Sequence, residues 1–240
     1  DGAGHYQAAW TLGGLYVGFI LQSMGTDFYP RLVGVVADPA ETNRLVNEQA
    51  QVSLLLAAPG VIATLTLAPL VVTAFYSSAF EAAVETLRWI CLGMALRVIS
   101  WPMGYIIVAK NHRVLFFGAE LAWTVVNVGL SWACVQSFGL VGAGIAFFGS
   151  YVFHAVMVYA IVRRLSGFRW SAVNLRTGLL FVVTIGLVFC SVDLLRPTWA
   201  YGVGLLALGI SSVYALRALW VLIPVEQLPR QIRRLRERMP

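Results

Sequence analysis

One arginine, Arg97, stands in the middle of an apolar run that is long enough to cross a membrane. A charge at that depth is costly unless it faces protein or a water-filled cavity, and a guanidinium there can hold two phosphate oxygens at once. Gly93, Ser100 and Gly104 share its helix face. Residues 81–113 therefore indicate a helix that lines a polar cleft in a transporter, with a structural bridge between helices as the alternative.

The next apolar segment carries a second polar face, on which Glu120 and Asn127 recur with two hydroxyl side chains at helical spacing. A short turn, 110–113, joins the two segments, so we expect them to be antiparallel neighbours. Asn127 is then nearly level with Arg97 and is predicted to be its direct partner. Glu120 lies closer to the turn and is a candidate for ion coupling, with a hydrogen-bonded structural acid as the alternative.

The first apolar segment has Gln22 and Tyr29 on a face that is otherwise rich in glycine. This pattern indicates the wall of a substrate cavity, and a glycine-rich packing seam between helices is the alternative. Asp27 points roughly away from that face, near the end of the segment, and is a second candidate for ion coupling.

His154 follows Gly142, Ala146 and Ser150 at steps of four residues, which is typical of a packing seam with a hydrogen-bonded histidine. Four large aromatic residues are expected to anchor the membrane interface or fill the core rather than to stack on sugars. These are Trp101, Tyr105, Trp123 and Trp132. The three cysteines have no metal-ligand spacing, and no cofactor or metal site is predicted.

The composition points to a membrane protein, because 59% of the 240 residues are hydrophobic and only 12% are charged. A soluble domain carries roughly 25% charged residues. We expect an all-α, polytopic transmembrane helical bundle with about seven spans in a lobe over 1–223. The predicted spans are 6–36, 51–76, 85–109, 114–138, 140–162, 177–195 and 199–223. Residues 37–50 are expected to form a short surface helix, capped by Asp38 and Pro39.

Basic residues set the expected orientation, because 13 of the 17 lysines and arginines fall on one side of the predicted spans. That side is predicted to be cytoplasmic, and the excess of basic residues does not indicate nucleic acid as a partner. The tail 224–240 is basic and amphipathic, suited to lying on anionic lipid headgroups, with a solvated tail as the alternative. The chain opens with DGAGHYQ, without a methionine or a basic leader, so we expect a preceding portion of a longer protein.

Four segments within residues 4–170 resemble O-antigen and polysaccharide flippases of the multidrug/oligosaccharidyl-lipid/polysaccharide exporter superfamily. The segments are GHYQAAWTLGGLYVGFILQSMGTDFYPRL, NRLVNEQ, FYSSAFEAAVETLRW and RVISWPMGYIIVAKN. The resemblance implies the C-terminal lobe of a two-lobed, MATE-like transporter in the bacterial inner membrane, whose partner would be the missing N-terminal lobe. It implies transport rather than enzymatic activity.

By that resemblance, the substrate is an undecaprenyl-diphosphate-linked oligosaccharide, such as an O-antigen unit, flipped by alternating access. Arg97 fits the cationic site, Asn127 supports it, and Gln22 and Tyr29 are weaker cavity-wall candidates. Membrane lipids and the polysaccharide polymerase and chain-length machinery are the further partners implied.

Two other functions stay open from the sequence. A multidrug or cation antiporter of the same superfamily would favour a carboxylate-centred aromatic cavity, whereas the deepest charge here is an arginine. A membrane-embedded enzyme or subunit of polysaccharide assembly would need an acidic or metal-binding loop outside the membrane, and no predicted loop is long enough to hold one.

The charge asymmetry predicts the result of cysteine labelling in intact cells. In a cysteine-free background, Asn111→Cys and Ser166→Cys are expected to be shielded from a membrane-impermeant thiol reagent, because their loops face the cytoplasm. Thr198→Cys is expected to react. Labelling of Asn111→Cys together with protection of Thr198→Cys would reverse the predicted orientation.

Overall fold

The structure is a computed structural model that describes residues 2–222, apart from the side chains of residues 23 and 24. Over this range the chain is helical, with no strand. The helices are α1 (Gly2–Val35), α2 (Pro39–Thr66), α3 (Ala68–Phe75), α4 (Ala83–Ala109), α5 (Arg113–Phe138), α6 (Leu140–Ser166), α7 (Ala172–Leu194) and α8 (Pro197–Leu222), with one 3₁₀ turn at Ser78–Phe80. The predicted amphipathic tail, 224–240, lies outside the described residues.

Six of the helices in the described range are long and apolar enough to cross a membrane: α2, α4, α5, α6, α7 and α8. The first predicted span, 6–36, lies in α1, which is 34 residues long and falls outside that set. The helix boundaries otherwise follow the predicted spans closely from 85 onward. Pro197 is the first residue of α8. An N–H group at that position has no partner within the helix, so a proline there costs no helical hydrogen bond.

The second span differs most from its prediction. One helix, α2, runs from Pro39 to Thr66, so the expected surface helix at 37–50 continues directly into the span. The predicted cap is confirmed, because the Asp38 carboxylate accepts hydrogen bonds from the N–H groups of Ala40 and Glu41, at 2.8 and 3.2 Å. The helix then breaks at Leu67, since Pro69 has no N–H to donate and its ring crowds the preceding turn.

Two asparagines of the NRLVNEQ segment tie the start of α2 to the connection between α6 and α7. The Asn43 side-chain oxygen accepts a hydrogen bond from the Arg169 N–H at 2.9 Å. The Asn47 side chain donates to the Arg169 carbonyl at 3.0 Å and accepts from the Ser171 N–H at 2.8 Å. These bonds satisfy the backbone of an irregular connection, which explains the polar residues inside an apolar chain.

Helix α4 forms the centre of the bundle. It packs most extensively against α6 and also against α1 and α2, while α7 and α8 pack against α2. Helix α5 lies mainly against α6 and touches α4 far less, although only a short turn joins α4 to α5. The expectation that these two helices are close neighbours is therefore wrong over most of their length, because α6 packs against both and holds them apart.

Glycines on α6 and in the turn before it make this packing possible. Gly139 alone connects α5 to α6, and its φ of 59° and ψ of −137° are accessible to glycine but strained for other residues. A Cβ on Gly142 would collide with the Cys134 carbonyl of α5, and one on Gly144 would lie 2.8 Å from the Thr86 carbonyl of α4. Backbone therefore meets backbone on both sides of α6, as is common between helices in lipid.

Replacing Gly142 tests this close approach. Gly142→Ala is expected to lower the free energy of unfolding by about 1–3 kcal/mol, because the added methyl group must push α5 away from α6. The measurement is the melting temperature of the purified protein in detergent. Gly178→Ala is the control, since a Cβ there meets nothing within 4 Å. Equal melting temperatures for the two variants would contradict the close contact.

Candidate functional site

A cavity of about 350 Å³ lies between α4, α5 and α6. Helix α4 forms one wall, α5 the opposite wall and α6 the third. The cavity exists because α6 separates α5 from α4, which leaves the space between them unfilled by side chains. Its lining residues are Arg97, Ser100, Trp101, Gly104, Tyr105, Val108, Phe116, Glu120, Trp123, Tyr151 and His154.

Arg97 is the cation of this cavity. Its guanidinium carbon lies 5.0 Å from the centre of the Trp101 ring, and its Nε is buried without a hydrogen-bond partner. No carboxylate among the described residues forms an ion pair with it. The Trp101 ring offers partial compensation through a cation–π contact. The guanidinium therefore keeps most of its hydrogen-bonding capacity free, toward a cavity.

The polar face predicted on α4 divides into two parts. Ser100 and Gly104 line the cavity beside Arg97, as expected. Gly93 instead packs against α6, where a Cβ would collide with the Phe147 ring. The face thus serves the cavity at one end and close helix packing at the other.

Asn127 does not lie beside Arg97. Its side-chain amide donates to the Ser150 hydroxyl of α6 at 2.9 Å, and it lines a separate cavity of about 280 Å³ with Tyr6 and Trp10 of α1. The reason is the separation of α4 from α5, which places α6 next to this part of α5. The predicted direct contact between Asn127 and Arg97 is therefore wrong. A supporting role for Asn127 in substrate binding stays a prediction.

The two ion-coupling candidates lie in different places. Glu120 lines the same cavity as Arg97, and its side chain is not bound to a described cation. Asp27 is exposed on α1 and pairs with Arg31 of the same helix at 3.2 Å, outside the cavity. Of the two candidates, only Glu120 therefore faces the cavity, and a coupling role for either stays a prediction.

The two α1 candidates also differ. The Tyr29 ring lies 5.5 Å from the ring of Tyr105, which lines the cavity, so Tyr29 lies beside the cavity wall without lining it. Gln22 is exposed on α1 and does not line the cavity in this structure.

His154 and three of the four large aromatic residues line the cavity, which the sequence interpretation did not predict. The expected hydrogen bond of His154 is not found at Nδ1, which is buried without a partner among the described residues. Trp101, Tyr105 and Trp123 line the cavity, whereas Trp132 is 68% exposed on α5. The usable signal was the spacing of Arg97, Trp101 and Tyr105, which repeats every four residues on one helix face.

Unmet hydrogen-bonding capacity is concentrated at this cavity. Among the described residues, six buried side-chain atoms lack a hydrogen-bond partner, and three belong to cavity-lining residues: Arg97 Nε, Trp123 Nε1 and His154 Nδ1. Buried polar groups in folded proteins are nearly always satisfied, so three such atoms around one cavity mark its walls as unusual within an apolar bundle. All three atoms are enclosed by protein, and two of them, Arg97 Nε and Trp123 Nε1, are obligatory donors.

A second buried arginine on α4 shows the contrasting arrangement. The Arg88 side chain is 6% exposed, and its Nη1 lies 3.3 Å from an Asp193 carboxylate oxygen of α7. Its Nη2 donates to the Phe189 carbonyl, and the guanidinium lies over the Phe189 ring. Arg88 therefore bridges two helices, in the way that the sequence had left open for Arg97.

Comparison with known proteins supports the fold. No family model and no curated protein matches the chain. A solved structure of the lipid II flippase MurJ, in an inward closed conformation, matches with a TM-score of 0.68 and 17% identity. The match covers 91% of this chain and 48% of the MurJ chain, so the chain spans about half the length of that protein. The predicted fold class is confirmed: the described residues form an all-α bundle whose fold is similar to that of MurJ.

Cysteine accessibility tests whether the cavity is wet. In a cysteine-free background, Gly104→Cys is expected to react with a small charged thiol reagent in isolated membranes, because its side chain enters open space in the cavity wall. Val125→Cys, which is 64% exposed on the apolar surface of α5, is expected to face lipid and stay unreactive. Equal protection at both positions would show that the cavity is closed to water.

Proposed function

We propose that this chain is part of a flippase that moves a diphosphate-linked lipid saccharide across a membrane. The observation that carries the proposal is the unpaired Arg97 guanidinium, which faces a cavity inside a bundle of apolar helices. The fold shared with a lipid II flippase supports a transporter rather than an enzyme. The cavity lies within a helix bundle, where a lipid-linked headgroup has to cross.

A diphosphate is the ligand chemistry that suits Arg97 best. Guanidinium stays protonated even when it is desolvated, and its planar array of donors matches two phosphate oxygens at once. An unpaired cation in a low-dielectric site attracts an anion strongly, since little water is present to screen the charge. Trp123 lines the opposite wall of the same cavity, on α5.

The substrate is more narrowly an undecaprenyl-diphosphate-linked oligosaccharide, such as an O-antigen unit, moved from the cytoplasmic to the outer leaflet of a bacterial inner membrane. The four segments that resemble polysaccharide flippases support this assignment, and the basic loops support a cytoplasmic tail. Glu120 is the ion-coupling group, with Asp27 the weaker candidate. Tyr29 lies beside this cavity, whereas Asn127 and Gln22 lie outside it and are the weaker candidates for contact with the substrate. A two-lobed transporter would supply the facing wall.

A cation antiporter is the second candidate, and one observation favours it. Glu120 shares the cavity with Trp123 and Tyr151, which is a suitable surround for an organic cation. Arg97 opposes this function, because its positive charge faces the same space. Transport of an organic cation that survives Arg97→Ala but not Glu120→Gln would favour the antiporter.

Two arginine variants in the native gene separate substrate binding from structural support. Arg97→Ala is expected to reduce export of lipid-linked saccharide by at least about 100-fold at unchanged membrane abundance, because the lost charge-assisted contacts to phosphate are worth several kcal/mol. Arg97→Lys is expected to recover only part of the activity, since an ammonium ion cannot form the two-pronged contact.

Arg88→Ala is the control, on the same helix and more deeply buried than Arg97. It removes the contacts of Arg88 with Asp193 and with the Phe189 carbonyl of α7, and is expected to lower the amount of protein in the membrane rather than the export per molecule. Export and membrane abundance are measured together by surface-saccharide staining and immunoblotting. Normal export by Arg97→Ala, or loss of export that only follows loss of the protein, would remove the phosphate-binding role.

A further inference from the structure

Three aromatic rings form a continuous row that starts at the Arg97 guanidinium. Trp101 lies beneath the guanidinium, and the Trp101 and Tyr105 ring centres are 6.2 Å apart. The Tyr29 ring of α1 lies 5.5 Å beyond Tyr105. We call Trp101, Tyr105 and Tyr29 the aromatic row. It leads from the unpaired cation toward the end of α4 that carries Lys110.

Tyr105 is held in place by its surroundings. The ring of Phe28, which is 1% exposed, meets Tyr105 edge-on at a centre-to-centre distance of 5.8 Å. On the α1 side, the Tyr105 hydroxyl lies so close to Gly25 that a Cβ there would be 3.1 Å from it. All three rings of the row are nevertheless only partly buried, and Trp101 and Tyr105 line the cavity. The row therefore offers a fixed aromatic surface to a ligand.

The chemistry of such a surface suits a saccharide. One face of a pyranose ring presents C–H groups, which carry partial positive charge and lie favourably against the negative face of an aromatic ring. Residues four apart on a helix are separated by about 6 Å along its axis. That step is comparable to the length of one sugar unit, so Trp101 and Tyr105 can meet successive sugars.

We propose that the aromatic row binds the saccharide of the lipid-linked substrate while Arg97 holds its diphosphate. This inference rests on the proposed function and adds a recognition site for the sugars themselves. The side chains of Trp123 and His154 line the same cavity and add further ring surface beside the row. The row makes the site tolerant of sugar identity, because every pyranose has an apolar face.

The test compares two probes on the purified full-length protein in lipid nanodiscs. One probe is undecaprenyl diphosphate, and the other is the same lipid carrying a trisaccharide that begins with N-acetylglucosamine. Wild-type protein is expected to bind the saccharide-bearing probe about tenfold more tightly than the bare diphosphate. Dissociation constants are measured by equilibrium titration.

Tyr105→Leu is the informative variant, because Tyr105 does not contact Arg97 whereas Trp101 does. It is expected to abolish the tenfold preference and to leave binding of the bare diphosphate unchanged. Tyr105→Phe keeps the ring and is expected to retain the preference. Tyr201→Leu, a matched change on α8 outside the cavity, is expected to behave as the wild type.

Four outcomes would overturn the inference. A wild-type protein without preference for the saccharide-bearing probe, or a Tyr105→Leu variant that keeps the preference, would remove the sugar site and leave the diphosphate site standing. A Tyr105→Leu variant that loses both probes equally, while Tyr105→Phe does so too, would assign Tyr105 to folding. Failure of the wild type to bind either probe would overturn the proposed function and this inference together.

Discussion

The cost of a charge inside an apolar bundle governs the structure around Arg97. The guanidinium has one aromatic ring beneath it and no described carboxylate beside it, so its stability depends on access to water or to an anion. Only a cavity meets that requirement. The bundle provides one by letting α5 depart from α4, and the position of α6 decides how wide the resulting space is.

Helix α6 acts as the spacer because small residues face both of its neighbours. Gly144 lets α6 approach the backbone of α4, and Gly142 lets it approach the backbone of α5. Close backbone contact gives many van der Waals contacts, which is the main attraction between helices where lipid removes the hydrophobic driving force. Further along, the side chains of Tyr151 and His154 replace these glycines and leave room for the cavity.

The two arginines of α4 show how one residue type takes two roles on one helix. Arg88 and Arg97 are nine residues apart, which is about two and a half turns, so they leave the helix on opposite sides. Arg88 meets α7, where a carboxylate and a carbonyl pair with it. Arg97 meets the cavity and has neither. The two arginines therefore differ because α7 offers partners to Arg88, whereas the cavity beside Arg97 leaves its guanidinium open to a ligand.

The sequence alone determined the features that depend on local order: the apolar helices, the Asp38 cap, the one-residue break at 139 between two predicted spans, and the depth of Arg97 in its helix. Periodicity and hydropathy carry this information within a single segment. It did not determine which helix faces which. Because α6 lies between α4 and α5, Asn127 forms a hydrogen bond with Ser150. For the same reason, His154 lines the cavity. The position of α6 depends on glycines that let its backbone approach helices distant in sequence. The aromatic row likewise joins α1 to α4, so only the tertiary structure could assemble it.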